Sequence, residues 1–224
     1  MNKTLTIVIL ADNFVPSLEL LLQQFGTQVE DFREQVRVIV QVDEVTDELQ
    51  AVVRMTTFAE LEAVSLKNNQ QRLMAAYSYT DTDYIWALPV DARVLPNALQ
   101  LLMPVLQSEE KSVVLLNCQQ RMLPLSPTEV WSFERLGRAA EMVGFFDTYM
   151  YPACVVIPGT ISMEHWPTYP AAEAHVYAYM RQYRETPVQG IGAMVVASTG
   201  PRERLEDWQR AAQWVRLLCT ALLQ

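Results

Sequence analysis

The feature that most constrains this chain is an alternation of two kinds of segment through its first half. Short β-branched runs at 4–10 (TLTIVIL), 36–42 (VRVIVQV), 83–88 (DYIWAL) and 111–118 (KSVVLLNC), with a weaker one at 61–66, predict strands. Between them, 16–25 (PSLELLLQQF), 46–53, 69–79 and 96–107 (PNALQLLMPVLQ) predict helices. Pro96 is expected to open the last of these, because a first helical position has no use for the N–H that proline lacks. Strand and helix in repeated alternation predict an α/β fold, a mostly parallel central sheet with helices on both faces. Ligands of such sheets sit beyond the carboxyl ends of the strands. That expectation gathers Ala11-Asp12-Asn13, Asp43-Glu44 and Pro89-Val90-Asp91 around one crevice.

The second half is less regular. Helices are expected at 132–143 (SFERLGRAAEMV) and at 170–184, and strands at 153–158 (ACVVIP) and 190–197 (GIGAMVVA). Pro201 opens a final amphipathic helix, 201–223, in which Leu205, Trp208, Ala212, Val215, Leu218 and Leu222 fall on one face. That stripe reads as a core-packing face, with a homodimer contact or a membrane-docking face as the alternatives. There is no internal repeat, low-complexity tract or linker, so residues 1–224 are expected to form one domain, with a first half over 1–117 and a second over 118–224.

Composition removes several classes of function. The formal net charge is −9 and no basic tract exists, so nucleic acid is not an expected partner. Cys118, Cys154 and Cys219 are odd in number and contain no CxxC pair, which supports neither a zinc site nor a disulfide framework. A reducing cytoplasm is the expected setting. No run approaches the roughly 18 apolar residues a membrane span requires, so no transmembrane segment is expected. Of seven glycines the first is Gly26, and no GxGxxG follows a strand. GxxxxGK[ST], GxSxG and HExxH are all missing, and His165 and His175 are the only histidines. A sheet of this kind must grip a nucleotide by other means.

The most specific stretch is 80–99, TDTDYIWALPVDARVLPNAL. It resembles the segment of family 2 glycosyltransferases in which a "gdYIWfL" strand runs into an acidic DxD-type turn, then "l.P.al" and a helix. Asp83, Tyr84, Ile85, Trp86, Leu88, Asp91, Pro96, Ala98 and Leu99 carry the match. The opening TIVILADNFVPSLELLLQQF is similar to that family's "tIvIpTyNr…L..lL", with Asn13 at the asparagine. IVQVDEVTD, 39–47, resembles "vvDdgStD", with Asp43 at the first acid, and 68–76 is a weak match to "N.G…aRN". Leu115-Leu116-Asn117 and the segment around His175 look closest to abequosyltransferase-like members.

The resemblance implies a GT-A-like fold and a sugar carried on a nucleoside diphosphate. It further implies transfer to a glycan or lipid-linked acceptor, as in polysaccharide biosynthesis. It assigns Asp43 and Asn13 to the nucleotide, and Asp91 to a divalent cation, Mg or Mn. Arg93, directly beyond that turn, is expected to offset phosphate charge. Glu173, in the first turn expected after Pro170, is the acid placed to take the acceptor proton, with His175 beside it; Asp147 and Glu164 are lesser choices. Trp166, Tyr169 and Tyr151 could stack on a sugar or anchor loops. The chain also departs from the family. Its DxD region reads Pro89-Val90-Asp91-Ala92, one carboxylate where relatives have two or three. Two readings therefore stay open: a working glycosyltransferase, and a catalytically degenerate GT-A module kept for binding or assembly.

Overall fold

The computed structural model describes residues 3–11, 15–64, 69–79, 81–118, 126, 128, 130–133, 152–159, 178, 182–183 and 185–198. Strands β1 (Lys3–Leu10), β2 (Val36–Val42), β3 (Ala59–Ala63) and β4 (Thr82–Pro89) alternate with helices α1 (Val15–Asp31), α2 (Asp47–Arg54) and α3 (Asn69–Ala76). The two-residue strand β5 (Arg93–Val94), helix α4 (Ala98–Leu106) and strand β6 (Val113–Cys118) follow. The second half adds β7 (Val130–Phe133), a 3-10 turn at Pro152–Cys154, β8 (Val155–Pro158) and β9 (Val188–Ser198).

Among the described residues all nine strands belong to one sheet, ordered β3-β2-β1-β4-β8-β6-β9-β5, with β7 also on β9. β1, β2, β3 and β4 are mutually parallel, β8 runs against both β4 and β6, and β6 is parallel to β9. Six strands thus share one direction, and β5, β7 and β8 oppose it. The fold is the expected mixed α/β architecture, a mostly parallel sheet with an antiparallel intruder at β8.

Strand alternation separates two faces. Leu5, Ile7, Ile9, Val38, Val40, Val42, Trp86 and Leu88 point to the layer formed by α1 and α4 and make the main core. Thr6, Val8, Ile39, Ile85 and Ala87 are also buried and lie outside that cluster. On their side α3 packs across β1 and β4, with Ala76 and Tyr77 fully buried. Apolar material on both faces is why these strands read as near-continuous hydrophobic runs.

α1 extends well past the expected stop at residue 25, because Val29 and Gln28 are buried as deeply as the leucines before them. Its Phe25 meets Trp86 edge to face, with ring centres 6.1 Å apart. The Trp86 indole N–H donates to the Ala153 carbonyl at 3.0 Å, pinning the 3-10 turn to β4. α2 starts where its chemistry says it should. The Thr46 hydroxyl accepts from the Leu49 N–H at 3.2 Å, Asp47 and Glu48 occupy the first turn, and Arg54 ends the helix.

Four boundaries correct the sequence reading. Pro96 does not open α4; it sits in a turn closed by Ala98 N–H to Leu95 C=O at 3.1 Å, where its preset φ is equally useful. The third strand is Ala59–Ala63, moved toward the N-terminus by parallel pairing with Val38 through Val42. Ser132 and Phe133, expected to begin a helix, finish β7, because β9 offers an edge opposite Gln189 and Val188 for the β-prone Val-Trp-Ser-Phe run. Gly190 and Gly192 lie inside β9, where a register shift leaves the Gly192 carbonyl to accept from the buried Asn117 amide at 2.7 Å. Of the helix expected over 170–184, Ala178, Gln182 and Tyr183 are described as helical. Residues 134–143 and 201–223 lie outside the described residues.

α4 carries no cap of its own: Asn97 makes no side-chain cap bond. Gln28, 1% exposed on α1, serves instead. Its Oε1 accepts from Leu99 N–H at 3.0 Å, and its Nε2 donates to the carbonyls of Leu95 and Gln24, both at 3.1 Å. Replacing it by leucine strands buried backbone groups, each an unmade bond of consequence. Gln28→Leu is expected to destabilise the fold by about 2 kcal/mol, read as a lower urea midpoint with an unchanged m-value.

Candidate functional site

Register decides which loops share a rim. Leu10 of β1 lies opposite Gln41 of β2 on one side and Pro89 of β4 on the other. The ladder continues one step beyond, with Ala11 N–H donating to Gln41 C=O at 3.0 Å and Val90 N–H to Leu10 C=O at 3.1 Å. Asp43 and Asp91 each follow these paired positions by two residues, so both stand just past the same edge of the sheet. They flank β1 and are two strand spacings apart, about 9.5 Å. Two of the three loops expected to converge do so; of the third, Ala11 is described and Asn13 lies outside the described residues.

The Asp43 side chain is 40% exposed and the Arg72 guanidinium on α3 grips it with two nitrogens: Nε donates to Oδ1 at 3.0 Å and Nη2 to Oδ2. This is the planar fork that arginine, and not lysine, can offer a carboxylate. Arg72 is itself 14% exposed, which fixes the carboxylate from below. Sequence reasoning missed Arg72 as a functional residue. Its only signal was the weak "aRN"-type match, since nothing local says that α3 folds back over β1 and β4 and brings Arg72 to the end of β2.

Gln41 lies on the same face of β2 as Asp43, two residues earlier. It is 2% exposed, and its side-chain amide lies close enough to the Tyr79 phenol to ease the ionisation of that group. Beside it, Tyr79 donates its phenol O–H to Glu62 Oε2 at 2.7 Å, and its ring lies 6.0 Å from the Arg37 guanidinium. Arg37 in turn binds Glu60 at 2.7 Å and also Asp81, contacts that raise its pKa. A polar strip thus runs up the outer face of β2 and β3 to the rim.

Asp91 occupies the turn from β4 to β5, closed by Ala92 N–H to Pro89 C=O at 3.0 Å. It is half-buried, and Val90 and Ala92 on either side are buried carbon. The turn therefore offers a single carboxylate. No group of three or more His, Cys, Asp or Glu side chains able to hold a metal occurs among the described residues. One carboxylate suits a hard cation whose remaining ligands come from phosphate and water, and does not suit an all-protein cage. Arg93 follows on β5, exposed, with Val94 turned into the core and its backbone paired to Ser198. Glu173, His175, Asp147, Glu164, Trp166, Tyr169 and Tyr151 lie outside the described residues.

No family model matches this chain, and no curated protein matches it. Solved structures do. TarS 1-349 of S. aureus in complex with UDP-GlcNAc superposes with a TM-score of 0.68 at 12% identity, covering 99% of this chain and 67% of that one. The mannosyltransferase PcManGT from Pyrobaculum calidifontis, in complex with GDP-Man and Mn2+, gives 0.56 at 14% identity over 100% of this chain and 65% of that one. Glucosyl-3-phosphoglycerate synthase from Mycobacterium tuberculosis, with Mn2+, UDP-glucose and phosphoglyceric acid, gives 0.58 at 14% identity over 98% and 79%. The chain has the fold of these GT-A glycosyltransferases and spans about two thirds of the first two. At such identities the likeness concerns the fold alone.

Burial first, then the bond to Glu62, raises the Tyr79 pKa; burial alone raises that of Tyr183, whose O–H donates to Pro158 C=O at 2.6 Å. Both phenols are thus harder to ionise folded than unfolded. Their contribution to stability is complete below the unfolded tyrosine value of about 10 and declines as pH climbs toward the raised folded values. Alkaline unfolding is expected to coincide with late phenolate absorbance, and Tyr79→Phe is expected to flatten part of that pH dependence.

Proposed function

We propose that this protein transfers a sugar from a nucleoside-diphosphate donor to a glycan or lipid-linked acceptor in the cytoplasm. The observation that carries the reading is the pair of acids at one sheet rim, one of them pre-oriented by an arginine whose side chain is 14% exposed. A carboxylate held at a fixed angle can accept the N–H of a nucleobase without the entropy loss of ordering itself on binding. Asp43 and Arg72 fit that role, with Asn13 on the adjoining loop. Asp91, two strands away, faces where the diphosphate of such a donor would extend. A divalent cation held there by Asp91, phosphate oxygens and water would offset the charge that grows on the departing diphosphate. Arg93 is near enough in the chain to add positive charge on the same side.

In the transfer, the bond from the sugar anomeric carbon to the diphosphate oxygen breaks with its electron pair leaving on the diphosphate. A bond from the acceptor oxygen to that carbon forms, and the acceptor proton passes to a base. Glu173 is the residue proposed for that proton, with His175 as its neighbour. The folds of the nucleotide-sugar-bound neighbours support this reading.

The single carboxylate between Val90 and Ala92 favours a second reading, a degenerate GT-A module that binds without turning over. Donor hydrolysis or transfer by the purified chain separates the two.

Thermal melting with UDP, GDP and TDP, with and without Mn2+, tests the proposal. At a hundredfold excess over Kd one of these is expected to raise the midpoint by about 5 °C or more. Arg72→Ala and Asp43→Ala are each expected to weaken binding about tenfold, near 1.4 kcal/mol, and Asp91→Ala to abolish only the Mn2+-dependent part. A flat response across the panel would remove the nucleotide from the account.

A further inference from the structure

The turn that carries Asp91 leads straight into β5, a strand of two residues. Pairing with β9 does not set the pitch of so short a strand. Arg93 lies opposite Ser198 and Val94 opposite Val196, one step on β5 against two on β9, so Ala197 is an extra residue at this point. A bulge of this kind re-aims the backbone and interrupts the ladder. Leu95 N–H returns to β9, donating to Val195 C=O at 2.9 Å. Val94 N–H turns to α1 instead, donating to Gln24 Oε1 at 3.3 Å. Val94 is 3% exposed, so its amide has little water to fall back on if that acceptor is lost.

Gln24 is itself braced. Gln28, one helical turn later, donates to the Gln24 carbonyl and to Leu95 C=O, both at 3.1 Å. On the other side of Asp91, Val90 N–H donates to Leu10 C=O at 3.1 Å and Ala92 N–H to Pro89 C=O at 3.0 Å. The backbone is therefore anchored to β1 one residue before Asp91 and to α1 three residues after it.

We propose that Gln24 is a positioning residue for Asp91, its amide oxygen standing in for the neighbouring strand that β5 lacks on this edge. The proposal rests on the reading above, in which Asp91 meets the cation and diphosphate of a nucleotide donor, and adds what aims the carboxylate there. The need follows from the turn's composition. Where two or three acids share a turn, a cation can draw on whichever oxygens are well placed. Here buried Val90 and Ala92 flank a single carboxylate, so looseness in the turn is felt directly as lost affinity. Gln24 acts through the backbone and touches no ligand. Its neighbour Gln23 is exposed and donates to Glu19 Oε1 at 3.3 Å on another side of α1.

Gln24→Met keeps the length of the side chain and removes the acceptor. Titration calorimetry with UDP, GDP and TDP, with and without Mn2+, reads its effect on the site. The gain in affinity that Mn2+ brings is expected to fall about tenfold, as when an outer partner of a metal-binding group is removed. The Mn2+-free affinity, set at Asp43, is expected to stay unchanged, and Gln23→Met to leave both unchanged. Hydrogen exchange without ligand gives an independent readout. Amides of 92–95 are expected to lose protection in Gln24→Met and to keep it in Gln24→Glu, which retains an acceptor for Val94 N–H. A Mn2+ gain that survives Gln24→Met, an equal loss of the Mn2+-free affinity, or unaltered exchange at 92–95 would overturn the role given to Gln24 and leave the reading of the site standing. A wild-type chain whose nucleotide affinity gains nothing from Mn2+ would overturn the reading of Asp91 itself, and this role with it.

Discussion

The arrangement at the rim depends on the level ends of three parallel strands. Leu10 is opposite both Gln41 and Pro89, and the ladder carries on through Ala11 and Val90. Parallel pairing with strict side-chain alternation tolerates no slip of one residue, since that would turn Ile7, Val38 and Trp86 out of the core they share. Burial on both faces thus locks the register, and the register brings acids 48 positions apart in sequence to one edge. Hydrophobic packing is the cause here and the polar site its consequence.

Helix α1 is the second organiser. Its apolar face of Leu18, Leu21, Phe25 and Val29 covers β1 and its neighbours, while Gln24 and Gln28 on the adjoining flank reach the β5–α4 segment. These two glutamines hold the backbone just after Asp91. Leu95 C=O, Leu99 N–H and Val94 N–H would otherwise seek water in a region with little of it. The turn that bears Asp91 is therefore held at one end by the sheet ladder and at the other by α1. That is the kind of rigid support a single carboxylate needs if it is to work without a second acid beside it.

Charge is arranged locally, against a strongly acidic average. The −9 of the whole chain would disfavour a diphosphate at long range. Arg72, however, sits at the rim with its guanidinium committed to Asp43, and Arg93 is exposed two residues past Asp91. Screening at physiological salt limits distant repulsion to about 8 Å, so these near groups set the field a ligand meets. Arg37 with Glu60 and Asp81 does the corresponding structural work at the other end of β2, tying three parallel strands together at their starts.

The amino-acid sequence by itself determined the α/β class, most strands and helices of the first half, and the loops bearing Asp43 and Asp91. It could do so because those properties follow from period-2 and period-3.6 patterns and from local caps such as Thr46. Tertiary structure alone decided the rest. β8 slips between β4 and β6 from far along the chain, and β7 forms because an open edge of β9 outweighs a helix-like composition. Gln28 caps a helix about 70 residues away, and Arg72 comes to rest on Asp43. These partners meet only after the sheet has assembled, so their pairing leaves no local period, spacing or cap that a linear reading could detect.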